Sequence, residues 1–184
     1  MISLYAGLVG EYPFIGEKYG QVEFPWGGAM EHQTLTSMGD YFVGYSDYYN
    51  NLIYAHELSH QWFGDEVTCG TWHDIWLNEG FATYFEVLWM VHEYSSYGLT
   101  VGGVLGSYYD DGLANGALRG TVYVKNENKP FADSDAIYTK GAWVLHMLRK
   151  RLGQDMFWKG VQAYGSEHKF KCAETSDFRN TLER

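Results

Sequence analysis

Cysteine is scarce in this chain: of 184 residues only Cys69 and Cys172 are cysteines. They lie far apart in the string and outside any C-x-x-C, which excludes a cysteine zinc clip and a disulfide framework and leaves two free thiols. Proline is nearly as scarce. Pro13, Pro25 and Pro130 are isolated, so no Pro-rich linker divides the chain. Positive charge is also short, with 13 Lys and Arg against 23 Asp and Glu and a net charge of −10. The longest basic run is "RKR" at Arg149 to Arg151. That distribution argues against nucleic acid and anionic membrane as partners. No stretch approaches the ~18–20 apolar residues of a membrane span. The opening "MISLYAGLVGEYPF" lacks a basic start and reaches Glu11 early, so it makes a poor signal peptide. A soluble protein is expected, with compartment and oligomeric state left open.

Apolar and aromatic residues, by contrast, are plentiful. The chain is 46% hydrophobic and 18% aromatic, the composition of a folded protein. The aromatics are expected first to fill the core, and only secondarily to line a cleft. The length suits one domain spanning 1–184, able to bury roughly 70% of its unfolded surface. Residues 3–10 suit a short helix. "QVEF" at 21–24, "HQTLTSM" at 32–38 and "YFVGYS" at 41–46 are strand candidates, so residues 1–50 are expected to be β-rich. Residues 51–184 are expected to be mainly helical. Over 51–64 the spacing of Leu52, Ala55, Ser59 and Trp62 predicts one buried helix face, with Gly64 as the stop. Further helices are predicted over 76–93, 138–152, 154–166 and 175–184, the last with "TSDF" supplying capping oxygens. Seven glycines in 98–120 argue against a strong continuous helix there. The fold class is α+β: a small sheet followed by a helical lobe.

"HELSH" at 56–60 is H-E-x-x-H. On a helix, residues four apart are offset by about 40° around the axis and about 6 Å along it, so His56 and His60 can grip one metal ion. Glu57 sits about 60° from His60 on that surface, within reach of water at the ion but not of the ion itself. This arrangement suits zinc hydrolysis with Glu57 as general base. A catalytic zinc takes three protein ligands and keeps one position open. Glu79, in "NEG" at the start of the next predicted helix, is the candidate third ligand if a turn folds the two helices back on each other. The plain alternative is a helix with two surface or capped histidines. With 7 His among 184 residues, about 0.02 such motifs are expected by chance.

"HELSHQWFGD" followed by "WLNEGFATYFE" resembles the M1 family of zinc aminopeptidases, which are thermolysin-like gluzincins. "GGAME" at Gly27 to Glu31 and "YTKG" at Tyr138 to Gly141 extend the resemblance in the family's order across nearly the whole chain. The resemblance implies a thermolysin-like catalytic domain binding one Zn²⁺ through His56, His60 and Glu79. It implies a peptide substrate with a free N-terminus, whose α-amine Glu31 holds, and Tyr138 as the phenol that stabilises the oxyanion. Physical chemistry agrees with each role. A neutral phenol donates a hydrogen bond where negative charge develops, and a glutamate beside an ammonium makes a charge-assisted contact that a blocked peptide lacks. Backbone of Gly28 and Ala29 is the candidate edge for an extended peptide. Glu86, two turns beyond Glu79, is the candidate partner for the outer nitrogen of a zinc histidine.

The other polar residues near the motifs need no catalytic role. Asp65 and Asp74 read as caps or loop acids and His73 as structural. Lys140 and Gly141 read as residues that position Tyr138. One motif departs from the family pattern: His32 stands where the pattern has Asn after the glutamate, which bears on the shape of the first specificity pocket. Flanking N- and C-terminal domains typical of the family are not recognisable in this chain. An endopeptidase of the same fold, or a zinc-binding domain with little or no activity, are therefore the alternative readings.

Overall fold

The computed structural model describes residues 1–44, 48–114 and 120–184. The chain opens with helix α1 (Ile2–Val9), whose fully buried Tyr5 donates its hydroxyl towards Ala55 O (3.1 Å) and Phe85 O (3.3 Å). That one side chain ties the start of the chain to both helices that later carry the site. Three strands follow: β1 (Gly20–Phe24), β2 (Ala29–Met30) and β3 (Leu35–Gly39). β3 is central, parallel to β1 and antiparallel to β2, with Gly20 opposite Leu35 and Ala29 opposite Met38. Of the strand expected at 41–46, residues 41–44 form turns, and 45–46 lie outside the described residues. Gly39, Asp40 and Gly44 surround Tyr41 to Val43, and the Phe42 and Val43 amides bond back to Gly39 and Asp40 carbonyls (2.9 and 3.3 Å), closing turns where a ladder was expected.

Helix α2 (Tyr48–Ser59) stops earlier than the apolar spacing predicts. Residues 60–64 turn instead, with the Asp65 amide donating to His60 O (2.9 Å) and the Gly64 amide to Val67 O (2.9 Å). Gly64 sits at φ 151, and a Cβ there would stand 3.0 Å from both His60 Nδ1 and His60 O. The glycine thus ends the helix without pressing on the imidazole. The chain then runs through β4 (Val67–Cys69) and a 3-10 turn at Trp72–Asp74 into α3 (Trp76–Glu93). The return to Glu79 is therefore longer than a simple helical turn. β4 pairs in parallel with β5 (Lys171–Ala173), Val67 opposite Lys171. Every residue from Trp76 to Met90 is buried, so α3 is the central helix, apolar nearly all round.

Around α3 pack α2, α4 (Val101–Ala114), the short α5 (Ser134–Ile137) and α6 (Thr139–Leu152), then α7 (Gln154–Glu167) and α8 (Thr175–Leu182). α4 corrects the sequence expectation. It forms through Gly102, Gly103, Gly106 and Gly112, each costing about 1 kcal/mol relative to alanine. Tertiary packing offsets that cost: Leu105 is fully buried, and Trp143 Nε1 of α6 donates to its carbonyl (3.0 Å). Capping of α8 bears out the expectation in part, through Asp177 of "TSDF", whose Oδ2 accepts from the Glu174 amide (2.9 Å). Glu174 and Asp177 form the capping box, while the Thr175 hydroxyl turns to Asp74 Oδ1 (2.6 Å).

α3 and α6 cross at two glycines. A Cβ on Gly80 would lie 2.9 Å from the Gly141 backbone, and one on Gly141 would lie 2.9 Å from Gly80 Cα. Glu79 is one residue from this crossing and Tyr138 three, so the crossing fixes their separation. Gly141→Ala is expected to cost about 1–3 kcal/mol by overpacking, lowering Tm by roughly 2–4 °C per kcal/mol for a chain of this size. Gly165→Ala, in α7 with open space around it, is the calorimetric control and is expected to leave Tm level or raised. Equal Tm values for wild type and Gly141→Ala would show that the crossing tolerates a methyl group.

Candidate metal centre and cleft

His56 lies in the last turn of α2 and His60 just past its end, both buried. The outer nitrogen of each is engaged. His56 Nδ1 donates to Glu86 Oε2 (3.2 Å), and His60 Nδ1 donates to Phe63 O (3.0 Å). Neither acceptor can donate, so both Nε2 atoms are left to face inward. They meet Glu79 Oε2, 3.4 Å from each, and the donor atoms of all three residues lie within 4.8 Å of one another. Tetrahedral zinc with bonds of about 2.0–2.2 Å separates neighbouring donors by roughly 3.3–3.5 Å. The imidazole–carboxylate distances fit that geometry, and the set of two histidines and one glutamate is a known catalytic one.

The electrostatics of the cluster follow from burial and mutual proximity. Burial opposes charging His60, but the Glu31 and Glu79 carboxylates outweigh it and hold its pKa up at about 9. Burial likewise opposes a charged Glu79, yet His60 and His56 hold its carboxyl well below the usual range. Glu57 is pushed up, chiefly by burial. Its Oε2 is buried and has no hydrogen-bond partner among the described residues, the state of a carboxylate aimed at something other than protein. Tyr138, at the entry to α6, stacks on the His56 ring at 5.8 Å. Burial and the adjacent Glu79 charge raise its phenol further, so it stays a protonated donor at neutral pH.

A cleft of about 1000 Å³ contains all of these groups, and also Gly28, Ala29, Glu31 and Glu86. One carboxylate oxygen of Glu31 comes within 4.8 Å of Glu57 and His60 ligand atoms. The backbone expectation for 28–29 divides. Gly28 O accepts from Gly39 N (2.8 Å) inside the sheet; antiparallel alternation then turns the N–H and C=O of Ala29 away from β3, to the open edge. His32 bonds through Nδ1 to Ser37 Oγ (3.0 Å).

The remaining polar residues act locally. Asp74 Oδ1 accepts from the Thr175 amide (3.0 Å) and Oδ2 from the Thr71 hydroxyl (2.8 Å). His73 stacks on Tyr123, and Lys140 Nζ donates to Gly120 O (2.7 Å). Two contributors were not foreseen. Tyr108 donates to Glu86 Oε1 at 2.6 Å; it stands on α4, whose glycines masked the helix. Gln61, beside His60, carried no metal-ligand chemistry to single it out.

These donors, on two helices of an α+β fold, define a metallopeptidase catalytic domain. The sequence profile of the peptidase family M1 domain matches residues 11–184, and the chain belongs to that family. It is 40% identical over 137 residues to glutamyl aminopeptidase of Rattus norvegicus, a match covering 72% of this chain and 14% of the relative. To aminopeptidase N of Lactococcus lactis subsp. lactis it is 36% identical over 139 residues, 71% of this chain and 16% of the relative. The crystal structure of an M1 zinc metallopeptidase from Deinococcus radiodurans superposes with a TM-score of 0.80 at 29% identity, covering 99% of this chain and 38% of that one. A mutant of that enzyme bound to a Tyr-Ser-Ala substrate aligns equally well, with a TM-score of 0.80. The chain thus spans about one seventh of the first of these relatives. No described helix is long and apolar enough to cross a membrane.

Cys69 also lines the cleft. Burial, then the Asp74 charge, pushes its thiol up to about 12, whereas Cys172 is exposed. A maleimide at pH 8 is therefore expected to label Cys172 and spare Cys69, read by peptide mass mapping. Cys69 is half-buried, so comparable labelling of both would contradict the raised pKa of its thiol.

Proposed function

We propose that residues 1–184 form one catalytic unit, a zinc aminopeptidase that hydrolyses the N-terminal peptide bond of peptides with a free amine. The observation that carries this reading is the meeting of His56, His60 and Glu79 at donor distances that suit zinc, with Glu57, Tyr138 and Glu31 in the same cleft. The relatives named aminopeptidases and the substrate-bound zinc metallopeptidase support it.

When bound, zinc supplies Lewis acidity, polarising the scissile carbonyl and bringing the pKa of water towards ~7. The remaining steps belong to side chains. Glu57 takes a proton from the attacking water at its unpaired Oε2 and returns that proton to the leaving amine. Its raised pKa makes it a stronger base than a free carboxylate, which favours the first transfer. Tyr138 donates its hydroxyl hydrogen bond to the oxygen that gains charge as the carbonyl carbon becomes tetrahedral. Glu31 pairs with the substrate α-ammonium, and the open edge at Ala29 receives the peptide backbone. Glu86 holds His56 in the tautomer that presents Nε2, with Tyr108 holding Glu86 in turn.

Glu57→Gln is expected to keep its zinc by elemental analysis while kcat falls by about 10²–10⁴-fold. Unchanged turnover would remove Glu57 from the mechanism. N-acetylation of an aminoacyl amide is expected to abolish hydrolysis; equal rates on free and acetylated substrates would instead assign an endopeptidase. Glu86→Ala is expected to weaken zinc binding by about 10–100-fold in competition with a chelator, and an unaltered affinity would leave Glu86 a packing residue.

A further inference from the structure

Gln61 follows His60 directly and is fully buried. A glutamine amide has two acceptor sites and two donor hydrogens, and here all four are engaged. Oε1 accepts from the Tyr12 hydroxyl (3.1 Å) and the Thr34 amide (2.9 Å). Nε2 donates to Glu31 O (3.0 Å) and Asp65 Oδ2 (2.6 Å). The orientation of the amide is forced, because the Thr34 N–H can only donate and the Glu31 carbonyl can only accept.

The segment these bonds hold is the one that carries Glu31. After β2 the chain turns back through His32, with the Leu35 amide donating to His32 O (3.0 Å), and reaches Thr34 at φ 60. That left-handed conformation is uncommon for a β-branched residue. Gln61 grips both ends of the turn, the Glu31 carbonyl and the Thr34 amide. Because Gln61 is the next residue after a metal-ligating histidine, the backbone position of Glu31 is referred directly to the metal site rather than to the sheet alone.

We propose that Gln61 is a positioning residue for amine recognition: its carboxamide sets the distance between the Glu31 carboxylate and the zinc site, and so sets how strongly a free N-terminus is preferred. The inference rests on the reading of Glu31 as the amine-binding group. Its physical basis is geometric. The ammonium must meet Glu31 while the carbonyl one residue along meets the metal, and misplacement of about 1 Å in such a pair is costly in rate.

The test uses the zinc-loaded chain, an aminoacyl amide, its N-acetylated counterpart, and calorimetric binding of an L-amino acid. Gln61→Glu keeps the acceptors for Tyr12 and Thr34 but loses both donor hydrogens. Its KM for the free amide is expected to rise about tenfold with kcat within about threefold. Amino-acid affinity should fall in parallel while zinc content is unchanged. Tyr12→Phe, a milder change that removes one bond from the far side of the amide, is expected to raise KM about twofold and serves if Gln61→Glu does not fold. A loss carried by kcat alone, an unchanged amino-acid affinity, or wild-type KM in whichever variants fold would overturn the proposal. A wild-type chain that binds zinc but shows no preference for the free amine would instead remove the reading of Glu31, before any variant is made.

Discussion

One carboxylate oxygen, Glu79 Oε2, stands 3.4 Å from two imidazole nitrogens in a part of the molecule almost closed to water. Isolated buried charges are strongly unfavourable, and they persist only where partners compensate them. Here the compensation is layered. The inner nitrogens face the carboxylate, and the outer ones are tied to Glu86 and to the Phe63 carbonyl. Each imidazole is therefore oriented from behind as well as from in front. A site held in this way is organised ahead of its ligand, and little rearrangement is left for the moment of binding.

The surrounding fold can be understood as what such a cluster needs. α3 is buried along nearly its whole length, so Glu79 and Glu86 are carried on an element that cannot readily tilt. α2 and α3 are pinned together by Tyr5, which reaches a carbonyl on each. The paired glycines at 80 and 141 bring α6 closer to α3 than any side chain would permit, and that approach puts the Tyr138 ring against His56. Stacked aromatics such as Phe63 on Phe81, with centroids 4.0 Å apart, fill the space behind the histidine turn. The aromatic surplus of the sequence is thus mostly structural, and Tyr138 and Tyr108 are among the few rings turned towards the cleft.

Much of the centre was legible in the string because its candidate ligands obey local periodicity. His56 and His60 are one helical turn apart, and Glu79 and Glu86 are two turns apart, so spacing alone aligned each pair. Tyr138 and Glu31 were legible only through resemblance, since nothing within three residues of either signals a cleft. The failures have a common physical cause in tertiary contact. α4 forms through its glycines because Leu105 and Trp143 pack it against α6, and no window of propensity contains that contact. β4 and β5 are three residues each and find one another across a hundred residues of chain. Gln61 looked like an ordinary polar residue because its four partners come from segments as distant as Tyr12 and Glu31.

The sign of charge along the cleft bears on which end of a peptide enters it. Its lining carries Glu31, Glu57, Glu79, Glu86 and Glu127 and, among the described residues, no lysine or arginine. A divalent cation at the histidine pair would neutralise the innermost carboxylates, leaving the field of Glu31 and the outer acids directed at the substrate. A peptide presents an ammonium at one end and a carboxylate at the other. In a concave, partly desolvated groove of one sign, the first is drawn in and the second repelled. A carboxypeptidase would need a cationic side chain to receive the terminal carboxylate, and the described part of this lining provides none. On the proposed reading, the groove as a whole would favour entry of the ammonium end, and Glu31 would convert that general attraction into a position one residue from the scissile bond.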